Sequence, residues 1–232
     1  MLHHCRAVAR GNRTAFLVGD LPFGSYQVSD QEAVRNAVRF IQEGQMEAVK
    51  LEGGRRMAET VRSIVRAGIP VLGHIGLTPQ SQSALGGFRV QGKTADSALA
   101  LVEDAQALEA AGCFAIVLEA IPEPVAAYIS REAVKIPTIG IGASSTCGGQ
   151  VLVQQDMLGL YDRFVPKFCK QYANLNGIVT EALRDYVREV KSRSFPLEQH
   201  TYPMDKEEMK RFQELMRNKS TSKCPVTKNC LM

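Results

Sequence analysis

The stretch AVKLEGG, residues 48–54, begins as a buried β-strand and then sets a cation and an anion among its apolar residues. Side chains alternate along a strand, so Lys50 and Glu52 are expected on one face and Val49 and Leu51 on the other. The same design recurs on both sides of it. AFLVGD ends at Asp20, PVLGH at His74 and FAIVLE at Glu119, each an apolar run closed by a polar residue and followed by Gly, Pro or a turn. Successive strands are thus predicted to carry polar groups at their C-terminal ends.

Between these runs the pattern changes to a helical period. In SDQEAVRNAVRFIQEG, residues 29–44, Ser29 and Glu32 predict a capping box, Ala33, Val34, Ala37, Val38 and Ile41 an apolar stripe, and Gly44 a stop. MAETVRSIVRAG (57–68), DSALALVEDAQALEAAG (96–112), the segment around AAYISREAV (126–134) and GIVTEALRDYVREVK (177–191) read as further helices. IPTIGIGA (136–143) reads as a fifth strand and FVPKF (164–168) as a sixth. Consecutive βα units build either an open doubly wound sheet or a closed barrel, and both put their chemistry at strand C-termini. Polar ends on four successive strands favour the barrel, because an open sheet concentrates its site at one switch point.

Composition narrows the function classes. With 232 residues, 45% hydrophobic and 22% charged, the chain can bury a sizeable core. Its net charge of +4 is spread along helices, which argues against a nucleic-acid partner. No apolar run approaches the ~20 residues that span a bilayer, so no membrane partner is expected. The six cysteines show no CxxC pairing and no regular spacing with His, which fits a reducing compartment rather than a zinc or disulfide framework. NCLM, with Cys230 third from the end, misses the prenylation pattern. Residues 1–19 hold Arg6, Arg10 and Arg13 and no acid, as a mitochondrial transit peptide would, yet MLHHCRAVARG reads more readily as an ordinary helix entering the first strand. The compartment, mitochondrial or cytoplasmic, stays open at this point.

GFRVQGKT, residues 87–94, satisfies the P-loop pattern, in which backbone N–H groups and Lys93 would cradle phosphates. A P-loop leaves directly from a strand, whereas LTPQSQSALG separates this motif from PVLGH. A long, mobile active-site loop is the expected reading, with a nucleotide binder as the alternative. GIGA (140–143) lacks the third glycine of the dinucleotide fingerprint.

DLPFGSY, AVKLEGG, GHIGLTPQS, GGFRVQGK, VLEAIP, IPTIGIGA and FVPKF follow one another in an order and at intervals that resemble the 3-methyl-2-oxobutanoate (ketopantoate) hydroxymethyltransferase family, over roughly residues 1–203. The resemblance implies an α/β fold of the (βα)8 TIM-barrel type as a catalytic domain over 1–203; beyond it, the polar run after DKEEMKRFQELMR predicts a flexible tail, 204–232, with a short amphipathic helix in that segment. It implies transfer of a one-carbon unit from 5,10-methylenetetrahydrofolate to 3-methyl-2-oxobutanoate, assisted by Mg2+, in a homo-oligomer. Position by position, Asp20 resembles a metal ligand that also lies against the substrate and Glu52 a second metal carboxylate. Lys50 resembles the residue holding the keto acid, Glu119 the general base, and His74 a residue of the substrate pocket.

Chemistry agrees with these roles. Taking a proton from the carbon beside a ketone needs a base and a group to hold the developing oxyanion. Mg2+ takes oxygen ligands and is often held by one or two protein carboxylates, the number that Asp20 and Glu52 supply. Glu119, ending an apolar strand, should be partly desolvated, which strengthens it as a base. The simpler alternative for Lys50 and Glu52, a structural ion pair, is a weak source of stability in a barrel core.

The front of the chain departs from the family pattern. Two βα units, and a D-S-x-G type motif whose Asp binds Mg2+, precede the matching segment in the family and do not occur here. The chain is therefore expected to be N-terminally truncated, lacking the first two βα units, with weakened metal affinity and substrate orientation. A non-catalytic remnant that associates with complete subunits is the other expectation this raises.

Overall fold

Six parallel strands form one sheet, in the order β1 to β6 of the chain, in a computed structural model that describes residues 1–81, 87 and 89–221. The strands are β1 Val18–Asp20, β2 Ala48–Lys50, β3 Val71–Gly76, β4 Ala115–Glu119, β5 Thr138–Ile141 and β6 Gly149–Gln150. Helix α1 (Leu2–Gly11) enters β1, α2 (Asp30–Gln42) and α3 (Ala58–Arg66) connect the first three strands, and α4 (Ala95–Ala111) precedes β4. After β4 come α5 (Glu123–Tyr128), extended by a π turn over Ile129–Ala133, and, past β6, α6 (Gln154–Met157). Parallel neighbours that follow one another in sequence are what alternating βα units produce.

The described chain divides into two compact units, Met1–Asn174 and Leu175–Met232. The second contains α7 (Leu175–Ser192) and α8 (Lys206–Thr221), with Tyr186 edge-on to Phe195. DKEEMKRFQELMR therefore forms the helix its pattern predicts, and residues 222–232 lie outside the described residues. No helix among the described residues is long and apolar enough to cross a membrane.

Local chemistry sets the boundaries. Ser29 Oγ accepts from the Glu32 N–H at 3.2 Å at the start of α2. The expected box is only half formed, because the Glu32 carboxylate pairs with Arg35 and Asn36 instead. Helix α4 carries the reciprocal version, Thr94 with Ser97, and ends at Gly112 with φ +100°, a left-handed C-cap that suits glycine.

The sheet separates two apolar layers. Val49, Leu51, Val71, Ile75, Ile116 and Leu118 pack under the helices with Ala37, Val61, Ile64 and Leu108. On the other face Leu72, Ala115, Val117 and Ile141 form a smaller cluster with Val18, Phe114, Ile139, Leu152 and Phe168. FVPKF is not the sixth strand; Gly149–Gln150 pairs with β5 in that place. Pro166 has no N–H for a ladder, Phe164 is 65% exposed, and the segment instead sends Phe168 against the inner cluster, close above Gly142.

Candidate active site

Asp20, Lys50 and Glu119 are the last residues of β1, β2 and β4, His74 lies in β3, and Glu52 follows β2 by two residues. Register brings them together. Asp20 pairs with Lys50, but Lys50 pairs with Leu72, so His74 stands two residues further along; His74 pairs with Val117, so Glu119 stands two further again. The polar row climbs across the sheet on the face of the inner cluster, as the stagger of a curved parallel sheet requires. Alternation puts Val49 and Leu51 into the helix-covered core and leaves Lys50 on the other side.

The row is continuous. Lys50 Nζ lies 2.8 Å from Asp20 Oδ1 and 3.3 Å from His74 Nδ1, and His74 Nε2 lies 3.2 Å from Glu119 Oε2. Glu52 Oε1 is 4.0 Å from His74 Nδ1. An ammonium has no acceptor site, so Lys50 donates and His74 Nδ1 accepts, which places the imidazole proton on Nε2, facing Glu119. Two of these approaches are close without hydrogen-bond alignment: Asp20 Oδ1 and His74 Nε2 are buried and have no hydrogen-bond partner. A buried polar atom left so costs about 1–3 kcal/mol, which a bound ligand could recover.

The backbone around Glu119 is tightly held. Leu77 N–H donates to the Glu119 carbonyl at 2.8 Å and Ala120 N–H to Ile141 O at 2.9 Å. Ala120 adopts φ +48°, an uncommon conformation for a residue with a side chain, and turns the chain away immediately after the carboxylate. Gly76, at φ +93°, runs so close to β4 that a Cβ there would lie 2.2 Å from the Glu119 carbonyl oxygen.

Glu52 is buried, and burial pushes its carboxyl above the ordinary range, while His74, the Gln80 N–H and Lys50 pull it back. The Gln80 N–H donates to Glu52 Oε2 at 3.0 Å, and the Glu52 N–H donates to the Tyr26 hydroxyl at 3.3 Å. Burial also pushes Tyr26 up to about 12, so its hydroxyl stays protonated at neutral pH. Tyr26 and Gln80 are site-supporting residues that sequence patterns do not single out. Both lie in quoted motifs, DLPFGSY and GHIGLTPQS, but neither ends a strand.

The group sets three carboxyl side chains, Asp20, Glu52 and Glu119, around one amine, Lys50, and one imidazole, His74. That surplus of carboxyl oxygens, with Asp20 Oδ1 lacking an aligned hydrogen bond, suits a divalent cation. Among the described residues no three His, Cys, Asp or Glu side chains converge to hold an ion by themselves. Two carboxylates completed by water and substrate oxygens would suffice for Mg2+. A groove of about 390 Å3 by α1 and α2, lined by Leu2, Pro22, Asn36 and Phe40, contains none of the charged row.

The P-loop context does not hold. Residues 77–94 separate β3 from α4, and the Thr94 hydroxyl accepts from the Ser97 N–H as a helix cap. Residues 82–86 and Phe88, within the expected active-site loop, lie outside the described residues.

Known proteins point the same way as the motif order. The family model described as ketopantoate hydroxymethyltransferase matches residues 1–198. A 3-methyl-2-oxobutanoate hydroxymethyltransferase of Oleidesulfovibrio alaskensis is 56% identical over 214 residues, covering 92% of this chain and 74% of the relative. One of Heliobacterium modesticaldum is 58% identical over 207 residues, covering 89% and 75%. One of Emericella nidulans is 54% identical over 216 residues, covering 92% of this chain and 62% of the relative. On matches of that extent, the chain belongs to the ketopantoate hydroxymethyltransferase family.

Proposed function

We propose that this chain deprotonates 3-methyl-2-oxobutanoate at C3 and joins that carbon to the methylene carbon of 5,10-methylenetetrahydrofolate, whose two C–N bonds break to release tetrahydrofolate while one water supplies the hydroxyl oxygen, giving 2-dehydropantoate. The six strands are read as part of a (βα)8 barrel, supported by their sequential parallel order and by the climbing polar row. The observation that carries the reading is the unbroken contact line Asp20, Lys50, His74, Glu119 at strand C-terminal ends.

Glu119 takes the C3 proton onto its carboxylate, with His74 Nε2 3.2 Å from Oε2 beside it. Lys50 holds the substrate carboxylate or keto oxygen through its ammonium donors, and Asp20, 2.8 Å away, holds that ammonium in place. Asp20 and Glu52 would hold Mg2+, which when bound supplies Lewis-acid polarisation of the keto oxygen. Val117 and Ile141, in the apolar cluster on the same face of the sheet, would limit water beside the reacting groups.

The test is exchange of the C3 hydrogen of 3-methyl-2-oxobutanoate in D2O with Mg2+ and without folate. The chain is expected to catalyse exchange, and Glu119→Gln to block it while keto-acid binding persists. Exchange that continues unchanged in the variant removes Glu119 from the role of base.

A further inference from the structure

Glu52 is the candidate metal carboxylate with the least freedom, and the groups that restrain it come from two other strand-end loops. Gln80 sits in a short 3-10 turn, Pro79–Ser81, closed by Ser81 N–H donating to Thr78 O at 2.9 Å. That turn aims the Gln80 N–H at Glu52 Oε2, 3.0 Å away. The Gln80 side chain then reaches back. Its Nε2 donates at 2.9 Å to the carbonyl of Leu21, the residue after Asp20, and its Oε1 accepts at 2.8 Å from the Tyr26 hydroxyl. The same hydroxyl accepts from the Glu52 N–H, and Tyr26 is 2% exposed. The Gln80 side chain is thereby bonded to the backbone beside Asp20 and to Tyr26, while the Gln80 backbone N–H and the Tyr26 hydroxyl hold the two ends of Glu52.

We propose that Tyr26 and Gln80 are positioning residues that fix the separation and orientation of the Asp20 and Glu52 carboxylates, and so select a small divalent cation. This rests on the reading of those two carboxylates as ligands. Outer partners of this kind typically change metal affinity 10–100-fold when removed. Mg2+ demands near-ideal octahedral geometry at short distances, whereas Ca2+ accepts looser and longer arrangements. A clasp that sets carboxylate spacing therefore shows in the ratio of the two affinities, which general destabilisation would not move.

Calorimetric titration of the full chain with Mg2+ alone and with Ca2+ alone provides the test. Tyr26→Phe and Gln80→Met each remove the Tyr26–Gln80 bond while keeping size and the Gln80 backbone N–H. Each is expected to lower Mg2+ affinity about tenfold or more and Ca2+ affinity clearly less, so the Mg2+ to Ca2+ preference falls. An unchanged preference in both variants overturns the proposal. Asp20→Asn and Glu52→Gln separate the two levels. If these lower Mg2+ binding while the preference survives Tyr26→Phe and Gln80→Met, only the clasp fails. If they leave Mg2+ binding untouched, or the unmodified chain binds none, the ligand reading fails and takes the clasp with it.

Discussion

On the helix side of the sheet, Val49, Leu51, Val71, Ile75, Ile116 and Leu118 make an unbroken apolar layer. On the opposite side the same strands carry apolar residues only in part, Leu72, Ala115 and Val117, and then Lys50, His74 and Glu119 toward their C-terminal ends. The two faces share backbone and register, so their difference is a difference of purpose. One gains about 25 cal/mol for each Å2 of apolar surface it removes from water. The other gives up that gain at three adjacent positions and leaves Asp20 Oδ1 and His74 Nε2 buried without hydrogen bonds. Proteins tolerate such local losses where a ligand makes use of them.

The largest effect should come from the polar face. Glu119→Gln keeps shape and burial but removes the proposed proton acceptor. It should slow C3 exchange by about 10²–10⁴-fold, roughly 3–5 kcal/mol on the barrier, with little change in thermal stability. Loss of folding instead of loss of exchange would mean that Glu119 serves the core, and the contrast between faces would collapse.

Ile116→Ala makes the converse change three residues earlier in the same strand, on the helix side. Ile116 is fully buried, and truncation there should cost about 3 kcal/mol of unfolding free energy in a urea titration. Mg2+ affinity of the folded fraction should hold. Gly76→Ala tests where the faces join. The substitution combines a left-handed backbone with a Cβ meeting the Glu119 carbonyl and Ile121, so about 2 kcal/mol of stability should be lost together with exchange activity. A silent Gly76→Ala would show that β3 and β4 do not need their close approach at the site.

Much of this was legible because strand alternation is a strict period. Asp20, Lys50, His74 and Glu119 could be assigned to strand C-terminal halves from apolar runs closed by one polar residue, and the structure puts them there. The sixth strand was not legible. Gly149–Gln150 is a two-residue strand with no apolar side chain to signal it, whereas FVPKF has the signal but carries Pro166. Tyr26 and Gln80 escaped for another reason. They act through three-dimensional closure between residues 28 and 54 positions apart from their partners, and hydrogen bonds of that kind leave no periodicity. The contact of His74 with Glu119 depends on the register of β3 against β4, which an isolated strand pattern does not state.

The smallest effect is the one whose sign discriminates best. Burial holds the Glu52 carboxyl above its ordinary range, so between that range and its folded value the folded chain binds the proton more readily than the unfolded one. Stability must then fall as pH rises through that window, and the full penalty is present above it. Glu52→Gln removes the penalty and can retain the Gln80 N–H through its amide oxygen, so the metal-free variant should be more stable than the parent at pH 7 by about 1 kcal/mol. The advantage should vanish in acid, below the ordinary carboxylate range, where Glu52 is protonated in both states. Saturating Mg2+ should reverse the order, because a ligand at 100 times its dissociation constant stabilises the parent by about 2.7 kcal/mol and a variant that binds it poorly by much less. Urea titrations of both chains with and without Mg2+ read all three changes. If the variant is less stable without metal at neutral pH, Glu52 is a structural member of the core, and the polar face follows the same rule as the apolar one.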